Sequence, residues 1–371
     1  MRIAMLGVKT LPSASGVEKV VEEVGSRLVA RGHEVTVFTR AHLARSESRN
    51  YRGIEIRPTW SIATKHLDAV THALAAAVSM GGKTDVLHVH TTNFAPAIAI
   101  SKFRGIPVVV QSHGLDWRRA KWGAGASAYL WASDATSRRW SDSVVVVSRT
   151  LEDAYKARPG RSPIYVPNGV ARWAPESRER LASLGLGKRR YVLFAARLVP
   201  EKGCHYLLEA FARICPPDVD LVIAGEDLYN GAYAQNLKSD AGPQVRFVGA
   251  VLGAEFRALV QHADVFVLPS QIEGLSTGLL EAMAARRCIV ASALPENLEA
   301  LGDTGLTFPA GDVEQLASSL QTALADGVLR ERMGAAAAAR VSQLYDWDRS
   351  TEQLESIYER VLRTRQGTKE S

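Results

Sequence analysis

Two cations stand close together in AARLVPEKG (195–203): Arg197 at the end of an apolar run, and Lys202 after four further residues, in a loop punctuated by Pro and Gly. At a strand-to-helix turn, a guanidinium and an ammonium can clamp a departing diphosphate and neutralise its charge as the bond breaks, without a metal. As two unconnected surface cations they would contribute little. The string DVFVLPSQIEGLSTGLLEAMA (264–284) adds two carboxylates, Glu273 and Glu281, with seven residues between them. Its first part reads as a buried strand ending at Pro269, followed by a Gly/Ser/Thr loop and a helix from about Thr277. The start of that helix offers unpaired backbone N–H groups and a positive dipole end, which suit a diphosphate. Glu281, about one turn in, can accept two hydrogen bonds from a ribose diol, and Glu273 on the loop can bind sugar hydroxyls. Singly, Glu281 fits a helix-dipole partner and Glu273 a solvated loop residue. The complete strand–loop–helix string favours a ligand.

In the first half of the chain, KTLPSASGVEKV (9–20) is a small-residue loop in which Gly16 precedes a long helix. Such a loop lets backbone approach a ligand, but it lacks the G-x-G-x-x-G dinucleotide fingerprint. In QSHGLDWRRAKW (111–122), His113 ends a buried strand, where it can hydrogen-bond a sugar hydroxyl, handle a proton or serve as a core residue. The aromatic-basic cluster Trp117, Arg118, Arg119, Lys121 and Trp122 after it suits a membrane interface or a phosphate-bearing acceptor, with stacking on nucleic acid as the rival. His88 and His90 share a strand face and lack further ligands, so a packed or ligand-lining role is expected rather than a metal site. DVD (218–220) leads into a strand and DWD (346–348) opens a helix as a cap, so neither is read as a metal motif. No essential divalent metal and no cofactor are expected.

The elements that must position these residues are read from periodicity. Short β-branched runs alternate with helix-length segments, from Arg2–Gly7 to Ile164–Pro167 and again from Tyr191–Arg197 to Gly305–Phe308. Near-continuous apolar runs such as VVVV (144–147) are what a parallel sheet buried on both faces requires. The expected fold is therefore α/β, with two tandem Rossmann-like doubly wound parallel sheets. Residues 1–180 would form the N-terminal domain and 181–345 the C-terminal domain. Residues 346–371 would be a helix packing back towards the N-terminal domain. Open sheets bind ligands at the carboxyl ends of their strands, so the site is expected in a cleft between the domains.

Composition narrows the function. The chain has 371 residues, 46% apolar and 23% charged, which excludes disordered and collagen-like classes. No apolar run reaches the roughly 18 residues of a membrane span. Three cysteines without CxxC spacing suggest neither a disulfide framework nor a zinc site, and point to the cytoplasm. Residues 1–180 carry 26 Lys+Arg against 15 Asp+Glu, a net +11, whereas 181–371 carry a net −5. The basic half would attract an anionic inner membrane surface, nucleic acid or a phosphorylated substrate.

With SHG (112–114), VSRT (147–150), PNGV (167–170), RLVPEKG (197–203) and EGLSTGLLEAMA (273–284), nearly the whole chain resembles glycosyltransferase family 4, retaining enzymes of the GT-B fold. KHLDAVTHA (65–73) and HGLDWRRAKW (113–122) are similar to rhamnosyl- and glucosyltransferase-like members that build cell-wall or exopolysaccharide glycans. The resemblance implies a nucleotide diphosphate sugar donor held mainly by the C-terminal domain. Arg197 and Lys202 would bind its diphosphate, Glu281 the ribose and Glu273 the donor sugar. Gly274, Leu275, Ser276 and Thr277 would complete the donor site, with Gly16 near the phosphates or transferred sugar and His113 near the sugar's outer hydroxyls. The acceptor, a glycan or a lipid-linked molecule, would enter from the N-terminal domain, as the resemblance implies. Retention without an evident nucleophile implies same-face attack.

Three departures from the family pattern bear on the donor. Ser15 precedes Gly16 where paired glycines are common, and Arg286-Arg287-Cys288 replaces Gly-x-Pro. ALPENLEAL (293–301) replaces a Gly-rich loop, with Glu296 keeping an acidic position. The competing readings are a nucleotide-sugar 2-epimerase of the same fold, a non-catalytic nucleotide-sugar sensor and a basic nucleic-acid-binding protein. The missing glycine fingerprint disfavours a hydride-transferring dehydrogenase.

Overall fold

The computed structural model describes residues 1–13, 16–44, 48–64, 67–81, 84–115, 123–227 and 231–370. The chain divides into two compact units, Met1–Asn168 with Trp347–Ser371, and Gly169–Asp346. The breaks fall at 168/169 and 346/347, where the sequence pattern suggests 180/181 and 345/346. The charged stretch 169–190 is not a free joint. Its 3₁₀ turn Arg178–Leu184 buries Leu181, Trp173 meets the edge of the Phe256 ring, and Glu176 pairs with Arg257. It therefore packs as part of the second unit.

The first unit is built on eight strands: β1 (Arg2–Leu6), β2 (Glu34–Arg40), β3 (Asn50–Tyr51), β4 (Ile54–Thr59), β5 (Val86–Val89), β6 (Val108–Ser112), β7 (Ser143–Val146) and β8 (Pro163–Tyr165). Their order across the sheet is β3-β4-β2-β1-β5-β6-β7-β8. All pairs are parallel except β3–β4. Helices α1 (Gly16–Ala30), α2 (Asp68–Ser79), α3 (Ala95–Phe103), α4 (Ala124–Trp140) and α5 (Arg149–Lys156) connect them. Val144 to Val147 are fully buried, as helices on both faces of a parallel sheet require. Strand β3 is the element that periodicity does not reveal, since two residues are too few to show a pattern. It pairs with β4 through a turn in which Arg52 (φ 52°) and Gly53 (φ 81°) both have left-handed backbone, the geometry of a type I′ hairpin.

The second unit has strands β9 (Arg190–Ala195), β10 (Val219–Ala224), β11 (Val245–Gly249), β12 (Val265–Leu268), β13 (Cys288–Ser292) and β14 (Leu306–Phe308). They lie in the order β11-β10-β9-β12-β13-β14, all parallel. The order reverses at β9. The chain runs outward to β10 and β11, then returns to lay β12 on the other side of β9, with Val265 beside Val192. That reversal is a topological switch point, where loops from adjacent strands diverge and leave room for a ligand. Helices α6 (Cys204–Ile214), α7 (Ala232–Ser239), α8 (Gly253–Gln261), α9 (Thr277–Ala284), α10 (Pro295–Leu301), α11 (Val313–Ala325) and α12 (Gly327–Leu344) complete the unit. Phe194, Leu207, Val267 and Leu320 share its main core cluster.

The last helix, α13 (Trp347–Glu370), belongs to the first unit. Its Leu354, Ile357, Tyr358 and Val361 are buried, and Asp348 and Glu355 pair with Arg27 and Arg31. Asp348, one of the two aspartates of DWD, thus serves an ion pair with α1. No described helix is long and apolar enough to cross a membrane.

Helix α1, which begins at Gly16, is fixed by charge as well as by packing. Burial pushes the Glu23 carboxyl up. Lys19, Arg27 and Arg52, all within 3.2 Å of it, outweigh that and hold it at about 2. A carboxyl depressed in the folded state stabilises fully above its unfolded value near 4.3, and the contribution fades as pH falls from there towards 2. Glu23→Gln is therefore expected to destabilise the first unit by about 2–3 kcal/mol at pH 6, with the penalty shrinking towards zero near pH 2. Urea unfolding followed by tryptophan fluorescence at several pH values tests this. A penalty independent of pH contradicts it.

Candidate functional site

The site is assembled on the loops after β9 and β12, the adjacent strands at the switch point. After β9, the amide of Ala196 donates to Ala224 O at 3.1 Å and that of Leu198 to Glu226 O at 3.1 Å, so the chain holds to β10's end while Arg197 emerges. The close approach requires Gly225, because a Cβ there would lie 1.9 Å from Ala196 O. Pro200–Lys202 then form one 3₁₀ turn, and Gly203 (φ 70°) starts α6 in a left-handed conformation. A Cβ at Gly203 would sit 2.0 Å from Pro269 O, so the glycine permits the two loops to touch. Gln271 N donates to Glu201 O at 2.9 Å and joins them.

This stitching brings Lys202 onto Glu273. The ammonium lies 2.6 Å from Glu273 Oε1, with the side chains 16% and 6% exposed. Ser270 Oγ donates to the same oxygen at 2.6 Å. Lys202 and Glu273, read from sequence as a phosphate ligand and a sugar ligand on separate loops, are thus direct partners. Arg197, half-buried, has no ion pair among the described residues. The loop then passes through buried Gly274 and Leu275 to Ser276, whose Oγ caps α9 by accepting from Leu279 N at 3.3 Å. One early amide is therefore already satisfied, while those of Thr277 and Gly278 have no intrahelical acceptor. Half-buried Glu281 stands one turn into α9.

Three residues that support Glu273 have no signature in the sequence. Ser270 is fully buried. Ser292 Oγ donates to Ser270 O at 2.6 Å, and Asn297 Nδ2 donates to Ser292 O at 2.9 Å. Asn297 lies in ALPENLEAL, the segment that departs from the family pattern. That segment supports the Glu273 loop from behind, which spacing alone could not show. Cys204, next to Gly203, is buried and its thiol is pushed up to about 12, so it is no nucleophile.

In the first unit, His113 follows β6. Ser112 Oγ lies 3.1 Å from Gly114 O and 2.9 Å from the Tyr155 hydroxyl, which donates its proton to the Asp134 carboxylate at 2.7 Å. His113 Nε2 lies 3.3 Å from Nδ1 of His90, and the two ring planes are within 17° of parallel. Gly16 is the exposed first residue of α1. The Glu18 carboxylate accepts from Lys9 N at 3.0 Å and ties the preceding loop to the helix. Ser15, Lys65 and the cluster Trp117, Arg118, Arg119, Lys121 and Trp122 lie outside the described residues. Among the described residues, no group of three His, Cys, Asp or Glu is arranged to hold a metal.

Because Lys202 and Glu273 are mostly withdrawn from water, removing one strands the other. Lys202→Met is expected to destabilise the second unit by about 2–3 kcal/mol, and Arg197→Met by less than about 0.5 kcal/mol. Hydrogen exchange of peptides covering β9 and β12 reads both. Equal effects contradict a buried pair.

Two family models match the chain: "Glycosyltransferase Family 4" over residues 14–172 and "Glycosyl transferases group 1" over 177–340. The phosphatidyl-myo-inositol mannosyltransferase of Mycobacterium leprae is 32% identical, covering 97% of each chain. The glycogen synthase of Mycobacterium tuberculosis is 28% identical over 96% of this chain and 94% of its own. Among solved structures, Anabaena HepE in complex with UDP-glucose superposes with a TM-score of 0.81 at 19% identity, covering 97% and 99%.

Proposed function

Because this chain belongs to glycosyltransferase family 4 and has the GT-B fold, we propose that it moves a sugar, with retention, from a nucleotide diphosphate sugar to a hydroxyl of a lipid-linked or polysaccharide acceptor. The observation that carries the donor side is the Lys202–Glu273 pair at the switch point, with Arg197 beside it on the same loop. In the free enzyme Glu273 holds the ammonium in place and neutralises it. A diphosphate brings more charge than one carboxylate, so it draws Lys202 away on Coulombic grounds. Arg197 and the amides of Thr277 and Gly278 take further phosphate oxygens. Glu281 binds the ribose diol. Glu273, released by Lys202 and still held by Ser270, accepts from the donor sugar's hydroxyls.

The bond from the anomeric carbon to the phosphate oxygen breaks, and its electron pair stays on the diphosphate. The acceptor hydroxyl oxygen forms the new bond from the same face and passes its proton to the departing phosphate. The cations stabilise that charge without a metal. Glu273, engaged by Ser270 and by sugar hydroxyls, is a binding residue in this scheme, not a covalent nucleophile. His113 contacts the donor sugar, and Gly16 lets backbone approach it. The mannosyltransferase relative, by its name, acts on a phosphatidylinositol and the glycogen synthase makes a polymer, which supports a lipid-linked or glycan acceptor here. Neither of these two names supports an epimerase or a nucleic-acid-binding protein.

A panel of nucleotide sugars, assayed for released nucleotide with and without membrane extract, tests the proposal. Activity is expected to persist in EDTA. Lys202→Ala and Arg197→Ala should each lower kcat by about 10²–10³-fold, by analogy with lost oxyanion donors. Full turnover in either variant, or loss of activity on chelation, counts against the metal-free clamp. The net +11 of residues 1–180 further supports attachment to an anionic membrane surface. Sedimentation with vesicles containing anionic lipid should show binding that weakens with salt, and binding indifferent to salt contradicts it.

A further inference from the structure

A chain of buried rings leads through the first unit to His113. Tyr358 of α13, His88 of β5 and His90 immediately after β5 are all at most 2% exposed. The Tyr358 hydroxyl lies 2.7 Å from His88 Nδ1. The His88 and His90 rings are 4.0 Å apart, and His90 Nδ1 lies 3.3 Å from His113 Nε2. His90 itself is fixed from behind. Its amide donates to Leu6 O at 2.7 Å, and at Gly7 (φ 119°) a Cβ would press on the His90 backbone at 3.1 Å.

Between two imidazoles at hydrogen-bond distance, one nitrogen must carry the proton. His90 Nε2 is buried and has no hydrogen-bond partner among the described residues. If His90 carried its proton there, a buried N–H would be left unpaired, which folded proteins avoid more strictly than an unpaired acceptor. The proton therefore sits on His90 Nδ1 and is donated to His113. His90 is also held neutral: burial, with His88 and His113 nearby, pushes it well below the ordinary imidazole range. His88 is likewise held neutral, down at about 3, chiefly by burial.

We infer that His90 is a positioning residue that fixes His113 as the Nδ1–H tautomer. In that tautomer His113 meets a hydroxyl as a donor through Nδ1 and not as a general base. The Nε2 lone pair is occupied by His90 N–H. Protonating it would turn two N–H groups on each other or force His90 into the unpaired tautomer. That His113 meets sugar rests on the glycosyl-transfer reading above; the tautomer does not.

The test is two-bond ¹H–¹⁵N correlation on the full chain labelled with ¹⁵N-histidine, with His113 assigned by its loss in His113→Asn. The wild type should show His113 protonated at Nδ1. His90→Phe, which keeps ring volume without a donor, should move the proton to Nε2. His90→Asn, whose amide can stand where Nδ1 stood, should restore the wild-type pattern. In donor turnover, His90→Phe should lower kcat/KM about tenfold, as for one lost hydrogen bond, and His90→Asn should recover most of it. An Nε2–H His113 in the wild type overturns the inference, and that spectrum suffices if His90→Phe fails to fold. An unchanged tautomer in folded His90→Phe overturns it as well. Full activity in His113→Ala, with the tautomer pattern as stated, would instead remove His113 from the glycosyl-transfer reading and leave its coupling to His90 standing.

Discussion

The ion pair between Lys202 and Glu273 is the constraint around which the second unit is arranged. Two opposite charges, 16% and 6% exposed, are held only if desolvation is offset by close geometry and additional hydrogen bonds. The offset comes from a layered construction. Ser270 adds a second donor to Glu273, Ser292 holds the Ser270 carbonyl, and Asn297 holds Ser292. The glycine at 203 allows the loops that carry the pair to touch. A buried pair of this kind is poor value as a stabilising device, since apolar residues of similar volume do as well. It makes physical sense as a cation kept ready for a more highly charged ligand.

The same logic operates in the first unit with neutral groups. His113 is set by Ser112 and Tyr155 through its backbone and by His90 through its ring. The buried imidazoles behind it stay uncharged because burial disfavours the imidazolium. Each unit thus presents a polar side chain at the carboxyl end of a strand and fixes it by a second layer of hydrogen bonds, as precise recognition requires.

Much of this was legible in the sequence, for identifiable reasons. Continuous β-branched runs mark buried parallel strands, and the reversal of strand order follows from the α/β alternation, so the two doubly wound sheets and the start of α9 at Thr277 could be read directly. Arg197, Lys202, Glu273 and Glu281 could be placed at strand ends. What could not be read depends on tertiary contact. Lys202 and Glu273 are 71 residues apart and meet only because β9 and β12 are neighbours. Asn297 and Ser292 look like ordinary polar residues until their partners are known. The two-residue strand β3 is shorter than any periodicity, although the Arg52-Gly53 turn was a local signal. The unit boundary falls at Asn168 because the charged stretch after it is anchored through Leu181, Trp173 and Glu176, none of which breaks the pattern of a linker.

On binding donor, Lys202 should exchange the Glu273 carboxylate for a diphosphate, and a crystal structure of the chain with a nucleoside diphosphate bound shows whether it does. The Lys202 ammonium and the Arg197 guanidinium are expected at about 2.7–2.9 Å from phosphate oxygens, with Glu273 still accepting from Ser270. A diphosphate bound elsewhere, with the 2.6 Å contact between Lys202 and Glu273 unbroken, would contradict it.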